Sequence, residues 1–71
     1  METRMYLRGT TEEAKEFTIN FTWRHSAAGR IGSVNVDEYK NEVTLNLLVN
    51  EDRKDDIERW AKEFNLRIMN W

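Results

Sequence analysis

Residues 17–28 read Phe17-Thr18-Ile19-Asn20-Phe21-Thr22-Trp23-Arg24-His25-Ser26-Ala27-Ala28, and whether the stretch is strand or helix decides the fold. Phe17, Ile19, Phe21 and Trp23 alternate with Thr18, Asn20, Thr22 and Arg24. That is an apolar/polar period of two, written in residues that suit a pleated surface. Wound as a helix, the same stretch puts Ala14, Phe17, Phe21 and Ala28 on one face and Ile19, Trp23 and Ala27 on the opposite one. Two opposed apolar stripes call for burial on both sides, which a chain of 71 residues hardly supplies. The pattern therefore favours one helical turn at 11–16 and a strand at 16–24. The helix has support of its own. Thr10 and Glu13 have the spacing of a capping box, and Gly29 suits a helix end. With a helix here the element order becomes βαββαβ, the ferredoxin-like layout, and Ile19, Trp23 and Ala27 become an outward stripe and the interface candidates.

Further along, Val43, Leu45, Leu47 and Val49 alternate with Thr44, Asn46, Leu48 and Asn50, and Ile57, Trp60, Ala61 and Phe64 then recur at helical spacing. A strand running into an amphipathic helix over 51–64 closes apolar face on apolar stripe. Asn50 is a suitable N-cap, Glu51 and Asp52 suit the first turn, and Asn65 suits a left-handed C-terminal position. Asp55 with Arg59 and Glu58 with Lys62 are spaced as i,i+4 ion pairs. Leu66–Trp71 reads as a last strand with Leu66 and Ile68 inward, and Arg4–Arg8 as a first strand with Met5 and Leu7 inward. Ile31–Glu38 is a strand with Val34 and Val36 inward. With Lys40-Asn41 at the hairpin tip, Val36 faces Leu45 and Val34 faces Leu47. The expected fold class is α+β: an antiparallel sheet of four to five strands packed on one helix in the C-terminal half. The ferredoxin-like βαββαβ order is the alternative.

Composition bounds the rest. Residues 1–71 make one small domain, and a chain of this size buries only roughly 60% of its unfolded surface. Such domains usually add a staple. There is no Cys for a disulfide and one His, too few for a zinc site. An aromatic core and self-association remain, and no cofactor or metal is expected. Thirteen acidic against eleven basic residues, net −2, argue against general nucleic-acid binding. No apolar run is long enough to span a membrane, and Met1-Glu2-Thr3-Arg4 lacks the order of a signal peptide. Cytoplasmic location is the default expectation.

Several clusters invite chemistry. Trp23, Arg24, His25 and Arg30 surround one loop and would suit phosphate or an acidic partner, whereas the plainer reading ends the core face at Trp23 and decorates the loop with polar residues. Gly29-Arg30-Ile31-Gly32 has the GxxG spacing of a backbone-clamping loop but runs on into a strand, as a hairpin loop does. Asp52, Asp55 and Asp56 are explained by the helix dipole. His25-Ser26 lacks an orienting carboxylate, so catalysis is not expected. Tyr6, Ile31, Leu48 and Trp71 fall on the sheet face away from the helix and form a mixed aromatic patch. The functional expectation is a non-enzymatic protein-binding module using that face, with homodimerisation as one route. The alternatives are nucleic-acid or phosphate contact through Arg24, His25, Arg30 and Lys40, and a small acidic inhibitor presenting Glu12, Glu13 and Glu16 or Asp52, Asp55 and Asp56 to a basic site.

Overall fold

The capping box at Thr10 wins over the alternating pattern that follows it. In the computed structural model, which describes residues 1–25 and 27–69, the Thr10 hydroxyl accepts from the Glu13 N–H at 3.3 Å and the Glu13 carboxylate accepts from the Thr10 N–H at 3.0 Å. The elements in order are β1 (Glu2–Gly9), α1 (Thr11–Arg24), β2 (Gly29–Asp37), β3 (Glu42–Asn50), a 3-10 turn (Glu51–Arg53), α2 (Lys54–Glu63) and β4 (Arg67–Met69). The strand expected at 16–24 is thus overturned, and the chain is helical through Arg24. Ala14, Phe17 and Phe21 bury one face of α1, while the opposed Ile19 and Trp23 stay 46% and 84% exposed. The premise that both apolar stripes need burial inside the chain does not hold here.

The four strands lie in the order β2-β3-β1-β4, every neighbouring pair antiparallel. With βαββαβ connectivity this is the ferredoxin-like arrangement of a small α+β domain. We call the helix-covered side of the sheet the inner face. α1 seats on β3 and β1, and α2 packs against β4. Met5, Leu7, Leu45, Leu47 and Val49 meet Phe17, Phe21, Ile57 and Ala61 in one core. Phe17 stacks on Phe21 with centroids 5.5 Å apart and meets the edge of Phe64 at 6.0 Å. No helix of the described residues is long and apolar enough to cross a membrane.

Two details of the β2–β3 hairpin correct the sequence expectation. Val34 pairs with Leu45 and Val36 with Val43, a register two residues away from the one expected. The cause is the turn. Asp37 Oδ1 accepts from the N–H groups of Tyr39 and Lys40, and Asn41 takes φ 50, so residues 38–41 form the loop and Asp37 pairs with Glu42. A shift of two keeps the faces, so Val34 and Val36 still point inward. The second correction is a bulge at Gly32, between the Ile31–Leu47 and Ser33–Asn46 pairs. One extra residue exchanges the faces beyond it, so Ile31 packs against the core and not on the outer face where it was expected.

The C-terminal half follows its sequence signals closely. Asn65 has φ 63, its N–H donates to the Lys62 carbonyl at 3.0 Å, and the Leu66 N–H donates to the Ala61 carbonyl at 3.0 Å. These two bonds form a Schellman turn, with buried Leu66 as its hydrophobic contact. Asn50 stands at the N-cap position but makes no capping bond. Its side-chain amide donates instead to the Ala27 carbonyl at 3.1 Å, tying β3 to the α1–β2 connection. Arg59 pairs with Asp56, one residue nearer than the expected Asp55.

Candidate functional site

The cations expected to form one site come from three parts of the fold, with Arg24 and His25 lining one small pocket beside Trp60. Arg24 ends α1, and His25 lays its ring on Trp60 with centroids 3.5 Å apart and planes 13° from parallel. Arg30 lies on the outer face, beside Leu48. Lys40 sits in the hairpin loop, at the other end of β2. Trp23 projects from the exposed side of α1 and does not end a core face. Ser26 and Trp71 lie outside the described residues, so neither the His25-Ser26 pair nor the Trp71 contact is placed. The acid clusters have structural employment: Glu13 closes the capping box, and Asp56 pairs with Arg53 at 3.8 Å and with Arg59. Among the described residues no three His, Asp or Glu side chains gather as a metal site would need.

The outer face reads across the strands as rows. Arg4, Leu48 and Arg30 form one row; Met69, Tyr6, Asn46 and Ser33 the next; Arg67, Arg8, Thr44 and Asn35 the third. Tyr6 and Leu48 are half-buried among these neighbours. Glu42 bridges two arginines, with Arg8 Nε at 3.4 Å and Arg67 at 3.5 Å, and Arg8 Nε also donates to Thr44 Oγ1 at 3.1 Å. Among the described residues the result is a polar surface with one aromatic ring in it, and the apolar patch expected there is interrupted by arginine.

Two exposed apolar side chains lie side by side along β2. This strand is the edge of the sheet and α1 seats chiefly on β3 and β1, so Val34 and Val36, although on the inner face, are 52% and 53% exposed. With Ile19 of α1 they flank an open trough of about 360 Å³ whose floor is Ala14, Val43 and Leu45. The outer edge of β2 has no strand partner among the described residues, so its outward-facing N–H and C=O groups are available. β2 carries no Pro and no Lys, two common guards of such an edge. Its bulge lies toward the Gly29 end, leaving Ser33–Asp37 regular. Gly29 is required where the strand starts: a Cβ there would lie 2.5 Å from the Leu48 carbonyl oxygen.

Periodicity placed Val34 and Val36 inward correctly yet gave no reason to see them as open. A signal was present in the contrast between strands: β3 places Val43, Leu45, Leu47 and Val49 inward without a gap, while β2 mixes its valines with Gly29, Gly32, Ser33 and Asn35. That contrast separates a central strand from an edge. Compared with known protein families, curated proteins and solved structures, the chain matches none.

Proposed function

We propose that this domain is a non-catalytic protein-binding module that takes an extended polypeptide segment onto the free edge of β2. The observation that carries the reading is the coincidence of an unpaired nine-residue edge strand with an apolar trough beside it. In strand addition the main-chain hydrogen bonds supply affinity, and alternate side chains of the incoming strand supply specificity. Here the incoming alternate residues would lie beside Val34, Val36 and Ile19. Tyr6 and Leu48 are half-buried between arginines, so the contact is assigned to the edge and not to the outer face.

The test is selection of displayed random peptides on the immobilised domain, followed by mapping of the winners by NMR shift perturbation. The reading expects peptides with apolar residues two apart, perturbing Ile19, Val34 and Val36, and losing about tenfold or more in affinity to the Val34→Lys variant. Absence of enriched peptides, or peptides that bind the variant equally well, would overturn it.

A further inference from the structure

The edge of β2 is complementary to itself, and we infer that its occupant is a second copy of this chain. The inference rests on the strand-binding reading above and names the partner. The bulge makes it work. Because Gly32 is the extra residue, the successive outer-face positions of β2 are Arg30, Ser33, Asn35 and Asp37, opposite Leu48, Asn46, Thr44 and Glu42 of β3. The successive inner-face positions are Gly29, Ile31, Val34 and Val36, opposite Val49, Leu47, Leu45 and Val43.

Two copies of such a strand, set antiparallel about a two-fold axis at Val34, match on both faces at once. On the inner face Val34 meets Val34 of the second copy, and Ile31 and Val36 meet across the axis in both directions. On the outer face Ser33 meets Asn35, and Arg30 meets Asp37, twice. Directly opposed unlike charges and β-branched pairs are favourable cross-strand neighbours, and like charges in those places are not. Moving the axis to Ser33 or Asn35 keeps the faces aligned but breaks the opposition of Arg30 and Asp37. The axis at Val34 overlaps residues 30–37 of each copy, and the interface is isologous, as two-fold symmetry requires.

Sterically the arrangement is open. α1 rests on β3 and β1, so in the joined sheet the two copies of α1 stand roughly three to four strand spacings, ~14–19 Å, apart. Helices in contact pack at about 8–10 Å, so these do not clash, and Ile19 of each flanks the joined valines. Arg30 is exposed and is held by no ion pair within the chain among the described residues. Asp37 uses Oδ1 for its turn, which leaves Oδ2 for an arginine. Joining the two sheets makes one continuous antiparallel sheet of eight strands, four from each copy.

The experiment is sedimentation equilibrium of the full chain and three charge variants, each checked for its fold by circular dichroism. The wild-type chain is expected to reach twice 8.6 kDa as concentration rises. R30D and D37R each place like charges opposite each other, and each is expected to weaken the dimer about tenfold or more. Mixing R30D with D37R restores both pairs, so the mixture is expected to dimerise where neither component does. Because Asp37 also holds the hairpin turn, R30D/D37N is the control: it removes the repulsion while keeping a turn acceptor, and it is expected to dimerise more tightly than R30D. A wild-type chain monomeric at all concentrations overturns the inference, while the displayed-peptide experiment then decides separately whether strand binding at β2 stands. A dimer indifferent to R30D, or a folded pair of variants without rescue on mixing, overturns it as well.

Discussion

The two edges of the sheet are built to opposite ends. Among the described residues β4 has three, follows the Schellman turn of α2 at once, and packs against that helix with Leu66 buried beside it. β2 has nine residues, none of them buried, and on its inner face Val34 and Val36 stay half exposed. A short, covered edge resists pairing with other chains, and a long, bare one invites it. The difference follows from where α1 sits. Ala14, Phe17 and Phe21 draw it onto β3 and β1, and two helices do not cover four strands when one of them is drawn to the sheet's centre. Exposure of Val34 and Val36 is the consequence of a well-packed core placed off-centre.

Truncations on the two sides separate these edges most sharply. Ile57 of α2 is fully buried, and Ile57→Ala is expected to lower stability by about 2–5 kcal/mol in urea denaturation. Val34→Ala should lower the stability of the monomer by less than about 1 kcal/mol, since half of its side chain is already in water. Comparable losses at the two sites would break the contrast. Next in size is Gly29→Ala, where a Cβ meets backbone of β3 at 2.5 Å and 2.8 Å. It should cost about 1–3 kcal/mol, and a neutral result would show that the two strands separate freely at that end. On the covered side, Asn65 holds φ 63, so Asn65→Ala is expected to destabilise by about 1 kcal/mol and Asn65→Gly by almost nothing. The smallest effect is expected on the outer face. Glu42 joins Arg8 and Arg67, yet these groups are partly exposed, so Glu42→Gln should change stability by less than about 1 kcal/mol. That change should shrink further in added salt.

Much of the covered side was legible from residue order. The strand Val43–Val49, the helix anchored by Ile57 and Ala61, and the left-handed Asn65 each carry one signal with one reading. The α+β class and the antiparallel sheet follow from them. Residues 17–24 were not legible in the same way, because Phe17, Ile19, Phe21 and Trp23 satisfy a strand period while Phe17 and Phe21 also share a helix face. The deciding feature lies outside the stretch, in Thr10 and Glu13, and a cap of about 1 kcal/mol carries little weight until the helix it starts can bury Phe17 and Phe21. The face of Ile31 depended on a single unpaired glycine, and nothing in Gly29-Arg30-Ile31-Gly32 distinguishes a bulge from a loop. The binding edge was hidden for a topological reason. Strand order across a sheet is not a local property, so the same alternation that marks Val34 and Val36 as inward is silent on whether anything lies above them. The conditional expectation that a helical 17–28 would turn Ile19, Trp23 and Ala27 outward is met at Ile19 and Trp23, and Ile19 flanks the trough. The helix ends at Arg24, short of the expected Gly29, so Ala27 is exposed in the turn that follows and not on a helical stripe.

The central claim is that β2 pairs with β2 of another copy in one register. An isotope-filtered NOE experiment on an equal mixture of labelled and unlabelled chain at high concentration tests it most directly. The account predicts intermolecular contacts between the methyl groups of Ile31 and Val36 and between the two Val34 residues, with Ile19 close to the same set. Intermolecular contacts centred on Tyr6 and Leu48, or none from a chain that sediments as a dimer, would contradict it.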